Sequence, residues 1–301
     1  MINWEDGRLF LAVARAGQML GAARGLGINQ ATLSRRMAAL EQQLGTSLLI
    51  RRATGCELTD EGEALAASLE RAEAEFLQAQ SLFDRAGPEI SGTVRIGAPD
   101  GFGVSFLAPR LVHLAERHPD LTVQLVPVPQ AFSLSKREAD IAVMVGRPEQ
   151  GRLVAQKLTD YTLGLYASRS YAEKNGLPES ADDLRTHRLV GYVEDLIYSA
   201  SLNYALSFWP GWRSHVEISS AVGQLEAVRA GAGIGVLHDY LAADHADLVP
   251  VLPQLSVQRA YWIVHHESLR GLARIKAATS FLSETVRAEA GRFVKSPPVG
   301  D

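Results

Sequence analysis

The sequence predicts a mixed architecture: a small α+β head, a long helix behind it, and an α/β body. Three observations predict it. Short helical periods broken by glycines run as far as Gly45, and two β-prone pieces follow them. A single apolar stripe at heptad spacing then extends from Leu65 to Phe83. From about residue 91 onward, strand-like and helix-like segments alternate.

In the head, Leu9, Phe10, Val13 and Ala14 recur at helical spacing up to Gly17. Met19 to Leu26 fits a second short helix with Ala22, Ala23 and Leu26 inward. Asn29 is a good N-cap for a third, Gln30 to Leu44, whose inner face carries Leu33, Met37, Leu40 and Leu44 and which Gly45 stops. Three small helices on tight turns make a helix-turn-helix unit. Ser47 to Ile50 and Cys56 to Thr59 flank the basic turn Arg51-Arg52-Ala53-Thr54-Gly55, which reads as a wing hairpin.

The next helix spans about 60 to 86, opened by a Thr59 or Asp60 cap with acids in its first turn. Its stripe is Leu65, Leu69, Ala72, Phe76, Ala79 and Phe83, flanked by Glu70, Arg71, Glu73, Glu75 and Gln78. Such a stripe needs a cover. One cover is a second copy of the helix, which sets two heads side by side; the other is the helix's own domain. The narrow, acid-flanked pattern favours the two-copy seam. Gly87-Pro88 ends the helix.

The body offers strands at Thr93–Ala98, Leu121–Val126, Asp140–Val145, Thr162–Ala167, Leu189–Val193, Val216–Ser219, Ile234–Leu237 and Tyr261–His265. Helices fit 103–118, 224–230 and 270–290, so mostly parallel sheets are expected. The tail from Lys295 to Asp301 reads as loose.

Composition bounds the function. The 301 residues are 47% hydrophobic and 21% charged, enough for a packed core. The net charge of −4 divides into +3 over 1–59, −6 over 60–90 and −1 beyond. A basic head points to a polyanionic partner, although +3 is also common on ordinary surfaces. The lone Cys56 excludes an intrachain disulfide and a cysteine zinc cluster, and reads as a small apolar filler ahead of a redox sensor. No long apolar run occurs and the acidic start lacks a basic n-region, so a cytoplasmic protein is expected.

Catalytic motifs are missing. Gly231-Ala232-Gly233-Ile234-Gly235 precedes a strand and follows a helix, the reverse of a dinucleotide fingerprint. His265-His266-Glu267 is consecutive on a strand, so its side chains diverge, and His113 and His118 are poorly spaced for joint ligation. No enzyme, metal or cofactor is expected. In the third helix, Gln30, Thr32, Ser34, Arg35 and Arg36 lie off the apolar face. Arg and Gln read purine edges in the major groove, and Ser and Thr bond phosphates or bases. A solvated helix face has the same pattern. Arg51, Arg52 and Thr54 suit backbone or minor-groove contacts, or simply keep a hairpin soluble.

Leu9 to Leu65 resembles the N-terminal domain of LysR-type transcriptional regulators. The resemblance rests on Phe10-Leu11-Ala12-Val13-Ala14, Ala22-Ala23, Asn29 to Met37, Leu40-Glu41, Leu44-Gly45, Leu48-Leu49, Arg51, Leu58-Thr59 and Glu61-Gly62, without a gap. Thr93-Val94-Arg95-Ile96-Gly97, Asp140-Ile141-Ala142-Val143, Leu165-Tyr166-Ala167-Ser168 and Val228 to Ile234 resemble landmarks of the family's effector domain. The chain departs from the family pattern at Met19, Leu20, Ala31, Thr32 and His238.

The resemblance implies a winged helix-turn-helix at 1–59, a dimerising linker helix at 60–90 and an effector domain at 91–301 similar to type 2 periplasmic binding proteins. Its first lobe would be about 91–162 with 267–301, its second about 163–266, crossed by two strands at a cleft. It implies a homodimer or homotetramer on double-stranded promoter DNA, modulated by a small-molecule inducer. By position, it carries inducer contacts to Pro99, Asp100, Gly101, Phe102, Met144, Val145, Gly146, Arg147, Ser168, Ser219, Ser220 and Ala221. Asp100 stands where the family offers hydroxyls or amides to an anion. It would attract amines, or only cap its helix, and Arg147 would pair with it or hold an acid group, making the inducer a zwitterion. A solute-binding protein and a two-lobed enzyme are the rival classes; the head and the missing catalytic motifs count against them.

Overall fold

The computed structural model of the chain describes residues 2–52, 55–83, 90–127, 139–148, 152–197 and 203–294. It divides into two compact units, one built on the head and long helix, the other on most of the remainder.

The head holds α1 (Trp4–Ala16), α2 (Met19–Leu26), α3 (Gln30–Leu44), β1 (Leu49–Arg52) and β2 (Gly55–Leu58). Each helix ends as its sequence demands: Gly17, Gly27 and Gly45 all adopt left-handed φ values and close the last turn. Phe10, Leu33, Met37 and Leu40 form the centre of one apolar cluster. The wing strands pair antiparallel, Leu49 opposite Leu58 and Arg52 opposite Gly55. Two side chains hold the wing in place. Glu41 Oε1 accepts from the Leu48 and Leu49 amides at 2.8 and 3.1 Å. Thr59 Oγ1 donates to the Ser47 carbonyl at 2.7 Å and accepts from the Gly62 amide. A Cβ at position 62 would run into the Leu48 carbonyl, so only glycine lets α4 (Asp60–Phe83) start this close to the wing.

The stripe on α4 meets α1 first. Leu69 is buried and Leu65 partly buried against the head's own cluster, and Gly7 makes room for the Leu69 side chain. Arg15 pairs with Glu73 at 2.6 Å, and Trp4 lies 4.8 Å from the ring of Phe76. Own-domain packing therefore accounts for the first half of the stripe. Beyond it, Phe76 is 57% exposed and Ala79 is also exposed. The side chain of Phe83 is outside the described residues.

The body is built on one nine-stranded sheet among the described residues, in the order β4-β3-β5-β11-β6-β9-β7-β8, with β10 beside β6. The strands are β3 (Gly92–Ala98), β4 (Leu121–Pro127), β5 (Ile141–Val145), β6 (Leu153–Ser168), β7 (Leu189–Gly191), β8 (Val216–Glu217), β9 (Ile234–His238), β10 (Leu248–Val251) and β11 (Val257–His266). It is a mixed sheet, which corrects the expectation of mostly parallel pairing. Parallel ladders join β3 to β4 and β5, and β7 to β8 and β9. The long strands β6 and β11 run antiparallel to each other and to β5, β9 and β10. They cross from one group of parallel strands to the other, which makes the domain two-lobed.

Only the second half of β6 was legible as a strand. Its first half carries Lys157 and Asp160, an exposed pair at 2.8 Å, so it lacks the apolar run of the second half. β10 hides a strand behind Pro250, tolerated on this edge. The expected helix at 103–118 begins earlier, as a π-helical turn Gly101–Leu107, a 3-10 turn Ala108–Arg110 and α5 (Leu111–Arg117). Pro109 has no N–H for a regular ladder, which accounts for the change of pitch. The remaining helices are α6 (Arg169–Asn175), α7 (Ala205–Phe208), α8 (Ala221–Arg229), α9 (Asp239–Ala242), α10 (Ala273–Ala288) and α11 (Ala290–Phe293).

Candidate nucleic-acid interface and effector cavity

In the head, α3 is capped by Asn29, whose side chain accepts from the Ala31 amide at 2.7 Å. With Leu33, Met37 and Leu40 buried, Gln30, Thr32 and Arg35 stand exposed and Ser34 is half-buried. Arg36 is placed differently from the expectation: its guanidinium donates to Asp6 of α1 at 2.6 Å, tying the third helix to the first. On the wing, Arg51 is exposed, whereas Arg52 reaches across to Glu57 at 2.7 Å. Thr54 lies outside the described residues. Cys56 packs partly buried against the head cluster, and its amide donates to the Gly17 carbonyl.

In the body, a cavity of about 520 Å³ opens between the two lobes. That is within the range of small-molecule sites. Of the residues expected there, Pro99, Asp100, Gly101, Val145 and Ala221 line it. The others do not. Phe102 is fully buried among Phe106, Tyr261 and Phe293. Met144 pairs with Trp262 in the sheet, and Gly146 makes a left-handed turn. Arg147 is exposed with its guanidinium 5.7 Å from the Trp262 ring, so the expected pairing with Asp100 does not form. Ser168 is buried and caps α6 through the Tyr171 amide. Ser219 is half-buried and off the lining, and Ser220 caps α8 through the Gly223 amide.

Asp100 does not cap its own helix. Its Oδ2 instead accepts from Ser220 Oγ at 2.6 Å and from the Val222 amide at 3.2 Å, at the start of α8. Gly101 beside it permits this approach, since a Cβ there would sit 3.2 Å from the Ala221 Cβ.

The second lobe supplies most of the remaining lining: Tyr192, Glu194, Tyr204, Trp212, Arg213, Glu217 and His238, with Tyr261 on the crossing strand. Sequence reading missed these. Tyr192 and Glu194 lie at the carboxyl end of a predicted strand, the usual place for ligands in α/β sheets, and that signal was available. Trp212 and Arg213 come from an irregular stretch without one.

His238 also lines the cavity. It stacks on Tyr161 at 5.2 Å and meets Tyr240 edge-on at 5.4 Å. Burial drives its pKa down to about 4 against the pull of Asp100 and Asp239, so the ring is neutral. The pKa in the folded state lies below the unfolded value near 6.5. Stability is therefore intact above pH 6.5 and falls as pH drops toward 4. Between pH 7.5 and 5, wild type should lose about 2 kcal/mol more than His238→Phe in urea titrations. Parallel pH profiles for the two proteins would refute this.

Among the described residues, no helix is long and apolar enough to cross a membrane. Comparison with known proteins places both units. A family model described as "Bacterial regulatory helix-turn-helix protein, lysR family" matches residues 4–63, and one described as "LysR substrate binding domain" matches 87–287. An HTH-type transcriptional regulator of Xanthomonas campestris pv. campestris is 31% identical over 184 residues, 61% of this chain and 54% of its own length. The HTH-type regulator YhjC of Escherichia coli (strain K12) is 30% identical over 233 residues, 75% of this chain and 77% of its own. The solved structure of CrgA, a LysR-type regulator from Neisseria meningitidis, has the same fold, with a TM-score of 0.58 at 24% identity, covering 94% of this chain and 99% of that one.

Proposed function

The chain belongs to the LysR family of bacterial transcriptional regulators, and from that premise we propose which of its parts carry out each step. Residues 1–59 grip double-stranded promoter DNA, 60–90 pair two copies, and 91–301 respond to a small effector in the cytoplasm. Within the effector domain the first lobe is about 91–162 with 267–301 and the second about 163–266. Gln30, Thr32, Ser34 and Arg35 enter the major groove, while Arg51 and Arg52, with Thr54, follow the backbone or minor groove. Arg36 acts by fixing α3 on α1. The exposed half of the α4 stripe, Phe76 and Ala79 continuing toward Phe83, forms the seam of a homodimer or homotetramer, with Leu65, Leu69 and Ala72 seating the rod on each head.

The observation that carries this reading is the exposed row Gln30, Thr32 and Arg35 on a helix whose opposite face is fully buried. Arg35→Ala should weaken binding to DNA flanking the protein's own gene by about 5- to 150-fold, the value of a bidentate base contact at about 1–3 kcal/mol. It should do so more for the operator than for random duplex. Arg51→Ala should weaken both alike and reduce the salt slope by about one. A gel-shift titration in which Arg35→Ala leaves operator affinity unchanged refutes the assignment of α3.

A further inference from the structure

The start of α8 has the makings of an anion seat: the helix dipole, the Val222 amide and the Ser220 hydroxyl converge there. In this chain the seat is taken by the chain's own carboxylate, Asp100, held by Ser220 Oγ and the Val222 amide. The cavity beside it then presents a second feature. Among the described residues its charged lining is Asp100, Glu194 and Glu217 against one cation, Arg213, and Tyr204 and Trp212 line the same space. Excess negative charge and aromatic faces both attract cations and both disfavour carboxylates in a partly desolvated space.

We propose that the cavity takes an organic cation, an amine or guanidinium on a body about the size of an aromatic ring, and that Asp100 sets this choice by filling the anion seat of α8. The inference rests on reading the cavity as the effector site. It makes Asp100 a specificity residue: removing its carboxylate lowers the negative charge of the cavity and vacates a site for an anion.

The test uses a matched pair of probes, phenethylamine and phenylacetate, which share a ring and differ in the sign of the charge. Isothermal titration of the full chain should show phenethylamine binding at least tenfold tighter than phenylacetate. Asp100→Ser should reverse that order. Glu217→Gln, on an exposed side chain that leaves the fold alone, should weaken phenethylamine about threefold and leave phenylacetate no weaker. Phenylacetate binding wild type as well as the amine overturns the proposal, as does an unchanged preference in Asp100→Ser or the absence of binding by either probe. The underlying reading fails separately. If phenethylamine binds as expected but leaves the complex with operator DNA unaltered, the charge preference stands and the effector role does not.

Discussion

Phe10→Ala is expected to lower the stability of the head by about 3–5 kcal/mol, the usual range for truncating a fully buried ring. Phe10 is 0% exposed and sits in the cluster with Leu33, Met37 and Leu40 of the reading helix. The loss is a large share of what so small a unit has, since native domains hold about 5–15 kcal/mol in total. The head should therefore unfold first in urea, followed by the fluorescence of Trp4, and DNA binding should disappear with it. A shift smaller than about 1 kcal/mol would mean that the cluster does not hold α3 in place.

The second large effect concerns the body. Asp239 at the start of α9 is buried and accepts from Thr162 Oγ and, at 2.6 Å, from Tyr166 OH. The neighbouring strand makes room for it: a Cβ at Gly164 would lie 2.8 Å from Asp239 Oδ1. Burial and the adjacent carboxylate push the Tyr166 pKa far up, so its phenol always donates. Asp239→Ala removes the carboxylate that both buried hydroxyls donate to, at about 1–3 kcal/mol for each bond lost, a total of about 2–6 kcal/mol. Thermal unfolding of the body should show the loss. Asp239→Asn, which keeps one acceptor, should recover part of it. Equal stability of the alanine and asparagine forms would show that the hydroxyls find other partners.

The head was legible because its information is local. Apolar periods, Asn29 as a cap and glycines at helix ends all act within a few residues. Two placements there differ: Leu44, expected on the inner face, is exposed at the last turn of α3, and Arg36 is drawn to a distant residue, Asp6, across the fold. Glu41 also has a role that periodicity does not reveal, because its partners are backbone amides of the wing. The cavity was half legible for the same reason. Pro99, Asp100 and Gly101 follow a readable strand, whereas Trp212, Arg213 and Glu217 approach from far along the chain. The sheet's mixed sense was not legible, because strand direction depends on which strand lies alongside, and β6 and β11 meet only after most of the body has been laid down.

That late meeting has a consequence for biosynthesis. In the strand order, β11 alone joins the set β4-β3-β5 to the set beginning with β6. Until Val257–His266 leaves the ribosome, the body consists of two half-sheets, each with an open edge, while the head is long since able to fold. A nascent or prematurely terminated chain of this kind exposes two sticky edges behind a finished DNA-binding module. Truncations before Val257 should thus aggregate or require a chaperone, however intact the region upstream of them.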